Sequence, residues 1–128
     1  MIVIDTNVMV YLLTGAGQGE EAERLFSKDQ EWAAPPILLS ELRNVMVGLV
    51  RRSQIEASDA SEICNDAQEI LRDRTVSVLS DPVLETAIQG KLSAYDAEFV
   101  VLARQLGVPL VTADQAILEG APDVAVSL

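Results

Sequence analysis

Two short apolar runs, each leading into an aspartate, constrain this chain more than any other feature. Ile2-Val3-Ile4 runs into Asp5, and Pro109-Leu110-Val111-Thr112 runs, one residue later, into Asp114. Short apolar runs of this kind, bounded by turn or cap residues, are read as strands buried on both faces of a parallel sheet. Parallel strands cannot be joined by a tight turn, so helices must lie between them.

The rest of the chain supplies those helices. Thr6 onward reads as a helix that ends near Gly15 and Gly17, and Glu20 to Ser27 as a second, with Ala22, Leu25 and Phe26 at helical spacing. Trp32-Ala33-Ala34 is a short strand. Pro35-Pro36 opens a helix that runs to Arg52, since proline suits a first turn. Ser58 is the expected cap of a helix over Asp59 to Asp73. Thr75 to Leu79 alternates and reads as a strand. Asp81-Pro82 starts a helix to Lys91, and Ser93-Ala94-Tyr95-Asp96 opens another that stops at Gly107. Asp114 to Glu119 is a short helix closed by Gly120, and Val124 to Val126 is an edge strand. Strands alternating with helices predict an α/β fold built on a parallel sheet covered on both faces. No repeat or linker interrupts the 128 residues, so one domain is expected.

Hydrophobic residues make up 49 %, enough for a packed core, but aromatics only 4 %, so that core is aliphatic. The net charge of −11, from 20 acids against 9 bases, excludes a broad basic footprint for nucleic acid and favours a basic protein partner. The lone Cys64 forms no internal disulfide and reads as a reduced core residue. The start MIVIDTN enters a strand at once and does not read as a signal peptide. No apolar run approaches the ~20 residues that span a bilayer. A soluble, cytoplasmic protein is expected.

Four acids stand apart from the rest. In open α/β sheets the functional site lies beyond the carboxyl ends of the strands, where Asp5 and Asp114 fall. Glu41 flanks the helical stripe of Leu38, Leu42, Val45 and Leu49, and Asp96 is followed at helical spacing by Phe99, Val100 and Ala103. Carboxylates beside apolar surface are expensive to keep ionised, and a divalent cation resolves that expense. Each acid has a simpler reading: Asp5 and Asp114 as helix caps, and Ser93-x-x-Asp96 as a relative of the capping box. Thr6, Asn7, Ser40, Ser93 and Thr112 lie within three residues of the acids, where they could orient carboxylates or serve local turns. By contrast, Asp59, Glu62, Asp66, Glu69 and Asp73 recur every three or four residues, as on a solvated helix face.

The segments IDTNVMVYLL, SELRNV and LSAYDAEFVVLARQLGVPLVTAD, in this order and in a chain of this size, resemble the PIN-domain nucleases, most closely the VapC toxins of toxin–antitoxin pairs. The resemblance implies a three-layer α/β/α sandwich with a central, mainly parallel sheet. It makes Asp5, Glu41, Asp96 and Asp114 the catalytic and metal-binding quartet, with Thr112 and Asn7 at commonly polar neighbouring positions. It also implies structured RNA as substrate, a small antitoxin as partner and a homodimer. The acidic balance departs from an RNA-binding surface, leaving Arg43, Arg51, Arg52 and Lys91 as the bases that could hold RNA.

The chemistry expected from these residues is hydrolysis of RNA with one or two Mg²⁺ or Mn²⁺ ions on hard oxygen ligands. The chain has no histidine, which excludes histidine-driven 2′-OH attack and Ser-His-Asp hydrolysis. Glu41 has two open roles, ligand or positioner of the attacking water. A catalytically weak or inactive PIN-fold binding protein is the alternative. A dehalogenase-type phosphatase would want a second aspartate where Asn7 stands, and a phospho-receiver domain a late lysine where only Lys91 is available.

Overall fold

The computed structural model describes residues 1–128. Strand β1 (Ile2–Ile4) is followed by α1 (Thr6–Thr14) and α2 (Gly19–Lys28), then β2 (Trp32–Ala33). Four helices follow: α3 (Ile37–Arg51), α4 (Ala57–Leu71), α5 (Ser80–Gly90) and α6 (Ala94–Leu106). The chain closes with β3 (Leu110–Thr112), α7 (Gln115–Gly120) and β4 (Ala125–Ser127). The four strands form one sheet in the order β2-β1-β3-β4, with every pair parallel. β4 is an edge strand, as expected. Helices α1 to α4 pack together, with α1 against β3 and α4 against β2, whereas α6, backed by α5, covers β1 and β3. The expected layered α/β/α arrangement is what forms.

The strand order positions the site. From β1 the chain leaves toward β2 on one side, and from β3 toward β4 on the other. The adjacent ends of β1 and β3 are therefore a topological switch point, where an open parallel sheet leaves a crevice. β1 and β3 are buried at every residue, which is why their sequences show no polar alternation. Trp32 is fully buried and meets Phe26 edge to face, with ring centroids 5.1 Å apart.

Three expectations are corrected. Thr75 to Leu79 is not a strand: Thr75 makes one parallel bridge with Ala34, and α5 begins at Ser80. No sheet face receives that segment, so Leu79 stays 74 % exposed. The cap of α4 is Glu56, not Ser58: Glu56 and Asp59 form a reciprocal capping box that starts the helix earlier. Cys64 is only partly buried, on the side of α4 that faces α3.

Arg74 does the work that a strand after α4 would have done. Its guanidinium donates to the carbonyls of Trp32 at 3.0 Å and Ile70 at 2.8 Å, clipping the end of α4 to β2. At the opposite side of the molecule, α5 and α7 end backbone against backbone. A Cβ added to Gly120 would lie 2.7 Å from the Gly90 carbonyl oxygen.

Charge-assisted hydrogen bonds to carbonyls contribute about 1.5–3 kcal/mol. Arg74→Ala should lower the unfolding free energy by about that amount in urea denaturation. Arg74→Lys should recover little of it, because a point charge cannot match a planar fork.

Candidate functional site

Asp5 leaves the end of β1 in an extended conformation and caps α1, one carboxylate oxygen accepting the Val8 N–H at 3.1 Å. Its other oxygen accepts the hydroxyl of Thr112, the last residue of β3. The Thr112 oxygen in turn accepts the Asp114 N–H at 2.9 Å. One buried hydroxyl thus ties the ends of both central strands, which only neighbouring parallel strands allow. Asp114 caps α7 by accepting the Ala116 N–H at 2.8 Å. Thr6 opens α1 and donates its hydroxyl to Glu41 at 2.6 Å, fixing the α3 carboxylate against α1. Asp96 lies in the first turn of α6, whose next turns bury Phe99, Val100 and Ala103.

Asp5, Thr6, Asn7, Glu41, Asp96 and Asp114 line one cavity of ≈ 140 Å³, whose apolar wall includes Phe99 and Ile117. The four sequence-selected acids therefore share a pocket, although they come from four separate segments. Thr112 reaches it through Asp5. Ser93 does not line it: it caps α6, accepting the Asp96 N–H at 3.0 Å. Ser40 is exposed. The capping readings of Asp5, Asp114 and Ser93 hold alongside the shared pocket.

The pocket is electrostatically unbalanced. Burial pushes the Asp5 carboxyl above the ordinary carboxylate range. The hydrogen bonds from Thr112 and Val8 pull it back, while the charges of Asp114 and Asp96 push it up again. Asp96 is raised first by burial, then by Asp114 and Glu41, against the pull of Ser93. Glu98, which sequence reasoning passed over, is also raised, by burial and by Glu41. Its position between the buried Ala97 and Phe99 was the available signal.

No three acidic side chains stand close enough to form a closed metal cage. Hard carboxylate oxygens are nonetheless the donors that Mg²⁺ and Mn²⁺ take, and Mg²⁺ keeps several waters while engaging one or two carboxylates. The residues fit an ion held in that open mode. A cation would relieve the burial and like-charge repulsion that raise Asp5 and Asp96.

The PIN domain family profile matches residues 2–121, and the chain belongs to that family. Among its relatives, Ribonuclease VapC9 of Mycobacterium tuberculosis is 32 % identical over 118 residues, covering 89 % of this chain and 86 % of its own. Ribonuclease VapC3 of Pyrobaculum aerophilum is 27 % identical over 125 residues, covering 94 % and 95 %. A toxin–antitoxin complex from Klebsiella pneumoniae shares the fold at a TM-score of 0.65 and 21 % identity, over 98 % of this chain and 96 % of that one.

A carboxyl raised by folding binds its proton more tightly in the folded than in the unfolded chain. Its stabilising share is present at low pH and is lost as pH rises through the folded value. At neutral pH, without metal, ionised Asp96 is thus a net burden on the fold. Asp96→Asn should raise the Tm of the metal-free protein at pH 7. The difference should shrink toward pH ~3, where carboxyls are protonated in both states. Thermal scans across pH in chelator would check this.

Proposed function

We propose that this protein is a metal-dependent endoribonuclease, a phosphodiester hydrolase acting in the cytoplasm as the toxin of a type II toxin–antitoxin pair. The observation that carries the reading is the convergence of Asp5, Glu41, Asp96 and Asp114 on one cavity at the switch point of the sheet. Relatives named as VapC ribonucleases supply the substrate class. The Klebsiella complex supports an antitoxin partner.

Asp5, Asp96 and Asp114 are assigned to binding one or two Mg²⁺ or Mn²⁺ ions, and Glu41 to binding or to orienting the attacking water. A bound ion of this kind acidifies water and neutralises charge developing on a phosphate. The Thr112 hydroxyl holds Asp5 in place, and Thr6 holds Glu41. Asn7, exposed at the cavity, is assigned to orienting the carboxylates or a water on the ion. Water adds its oxygen to phosphorus, the bond from phosphorus to the 3′ oxygen breaks, and that oxygen takes up a proton. The products carry a 5′-phosphate and a 3′-hydroxyl. Arg43, Arg51 and Arg52 on and just beyond α3 are exposed and are candidates to hold the strand.

The net charge of −11 favours a second reading, a PIN-fold protein that binds a partner without cutting RNA. Cleavage of an RNA panel with Mn²⁺, abolished by chelation, separates the two. Asp5→Asn and Asp96→Asn should each lower cleavage by at least about 100-fold, a loss of roughly 3 kcal/mol of transition-state stabilisation. Circular dichroism should stay unchanged. Full activity in a folded Asp96→Asn protein would refute the mechanism.

A further inference from the structure

The acid-lined cavity, at ≈ 140 Å³, is well below the roughly 300 Å³ of sites that enclose a small ligand. An ion, its waters and a phosphate oxygen suit that space, so the bases of a bound strand must rest outside it, on the rim. The chain has few side chains suited to holding a base there. Of its five aromatics, Trp32 and Phe99 are buried and Tyr11 and Phe26 half-buried. Tyr95 alone is exposed, at 61 %. It stands in the first turn of α6, beside Asp96. At about 100° per residue, Phe99 falls between Tyr95 and Asp96 around the helix. Phe99 and Asp96 both line the cavity, so Tyr95 flanks the same wall from outside. Its ring pairs with no other aromatic in the chain, where the one such pair is Phe26 with Trp32.

We propose that Tyr95 stacks an unpaired base next to the scissile phosphate and so holds the RNA strand in register with the acids. This rests on the nuclease reading above and adds to it a residue that positions the substrate. Every base has an apolar face, so an aromatic ring holds single strands without reading base edges. A base inside a duplex has both faces covered, which confines such a contact to unpaired nucleotides. The surroundings of Tyr95 favour a base over a phosphate. Glu98 and Phe99 follow it by three and four residues, which makes a carboxylate and an aromatic its neighbours on the helix surface. A phosphate would meet like charge at Glu98, whereas a neutral base does not. The net charge of −11 sets the same preference over the whole chain, because it denies the strand the many phosphate contacts that usually supply affinity. Stacking supplies affinity without basic residues.

Steady-state cleavage of RNA hairpins with randomised loops, in Mn²⁺, tests it. For the hairpin that wild type cuts fastest, Tyr95→Ala should raise KM about tenfold or more and leave kcat nearly unchanged. Tyr95→Phe should cut like wild type, because the ring and not the hydroxyl makes the contact. Both variants should melt like wild type, since the side chain is mostly in water. Across a salt series, log KM of Tyr95→Ala should run parallel to that of wild type, because no phosphate contact is lost. An abasic nucleotide at one position flanking the cut should raise the wild-type KM by a similar factor and do nothing more in Tyr95→Ala. That non-additivity identifies the base as the partner of the ring. A folded Tyr95→Ala protein with wild-type KM, a Tyr95→Phe protein as weak as Tyr95→Ala, or simple addition of the two effects would overturn the proposal and leave the nuclease reading intact. A wild type that cuts no hairpin would overturn both.

Discussion

Val3 pairs with Leu110 and Ile4 with Val111, and the position of the site's charge follows from that short parallel ladder. It brings the end of β1 beside the end of β3, so that Thr112 can donate to Asp5 while accepting from the Asp114 backbone. Without this adjacency the two aspartates would be unrelated helix caps 109 positions apart in sequence. With it, α1 and α7 start from neighbouring points, and α3 and α6 close the cavity by bringing Glu41 and Asp96 to the same crevice.

That arrangement sets folding against chemistry. A chain selected only for stability would not gather four carboxylates in a small pocket walled by Phe99 and Ile117. The upward shifts of Asp5 and Asp96 are the signature of the conflict, and the surrounding hydroxyl and amide donors offset only part of it. Sites whose groups are held at an energetic disadvantage are commonly functional ones. The same acids that unsettle the metal-free fold are the donors that suit a hard divalent ion.

What the sequence made legible was local. The strand runs before Asp5 and Asp114, and the helical spacing around Glu41 and Asp96, are short-range patterns. They led to most of the elements and to four acids that line one cavity. Less legible were the contacts that join the segments: Thr6 reaches Glu41 across 35 positions, and Thr112 reaches Asp5 across 107. Periodicity does not encode such partners. Ser93 serves in both ways that one Ser-x-x-Asp spacing allows: it caps α6, and its hydroxyl also lowers the Asp96 carboxyl. Thr75 to Leu79 has strand composition yet gains only one bridge, since strand formation also needs a partner edge and a face to bury. Glu56 took the capping role from Ser58 because its reciprocal bonds with Asp59 satisfy donors at both residues.

The contact between Gly90 and Gly120 reaches further than its place at two helix ends suggests. Helix α7 is only six residues long, so its start at Asp114 and its end at Gly120 move as a single rigid peg. A methyl group at Gly120 would act as a wedge between that peg and α5. Displacement of the peg would drag Asp114 and Ile117 from the pocket wall. Two hydrogen atoms in place of side chains thus let two helix ends close on each other and keep Asp114 seated at the cavity.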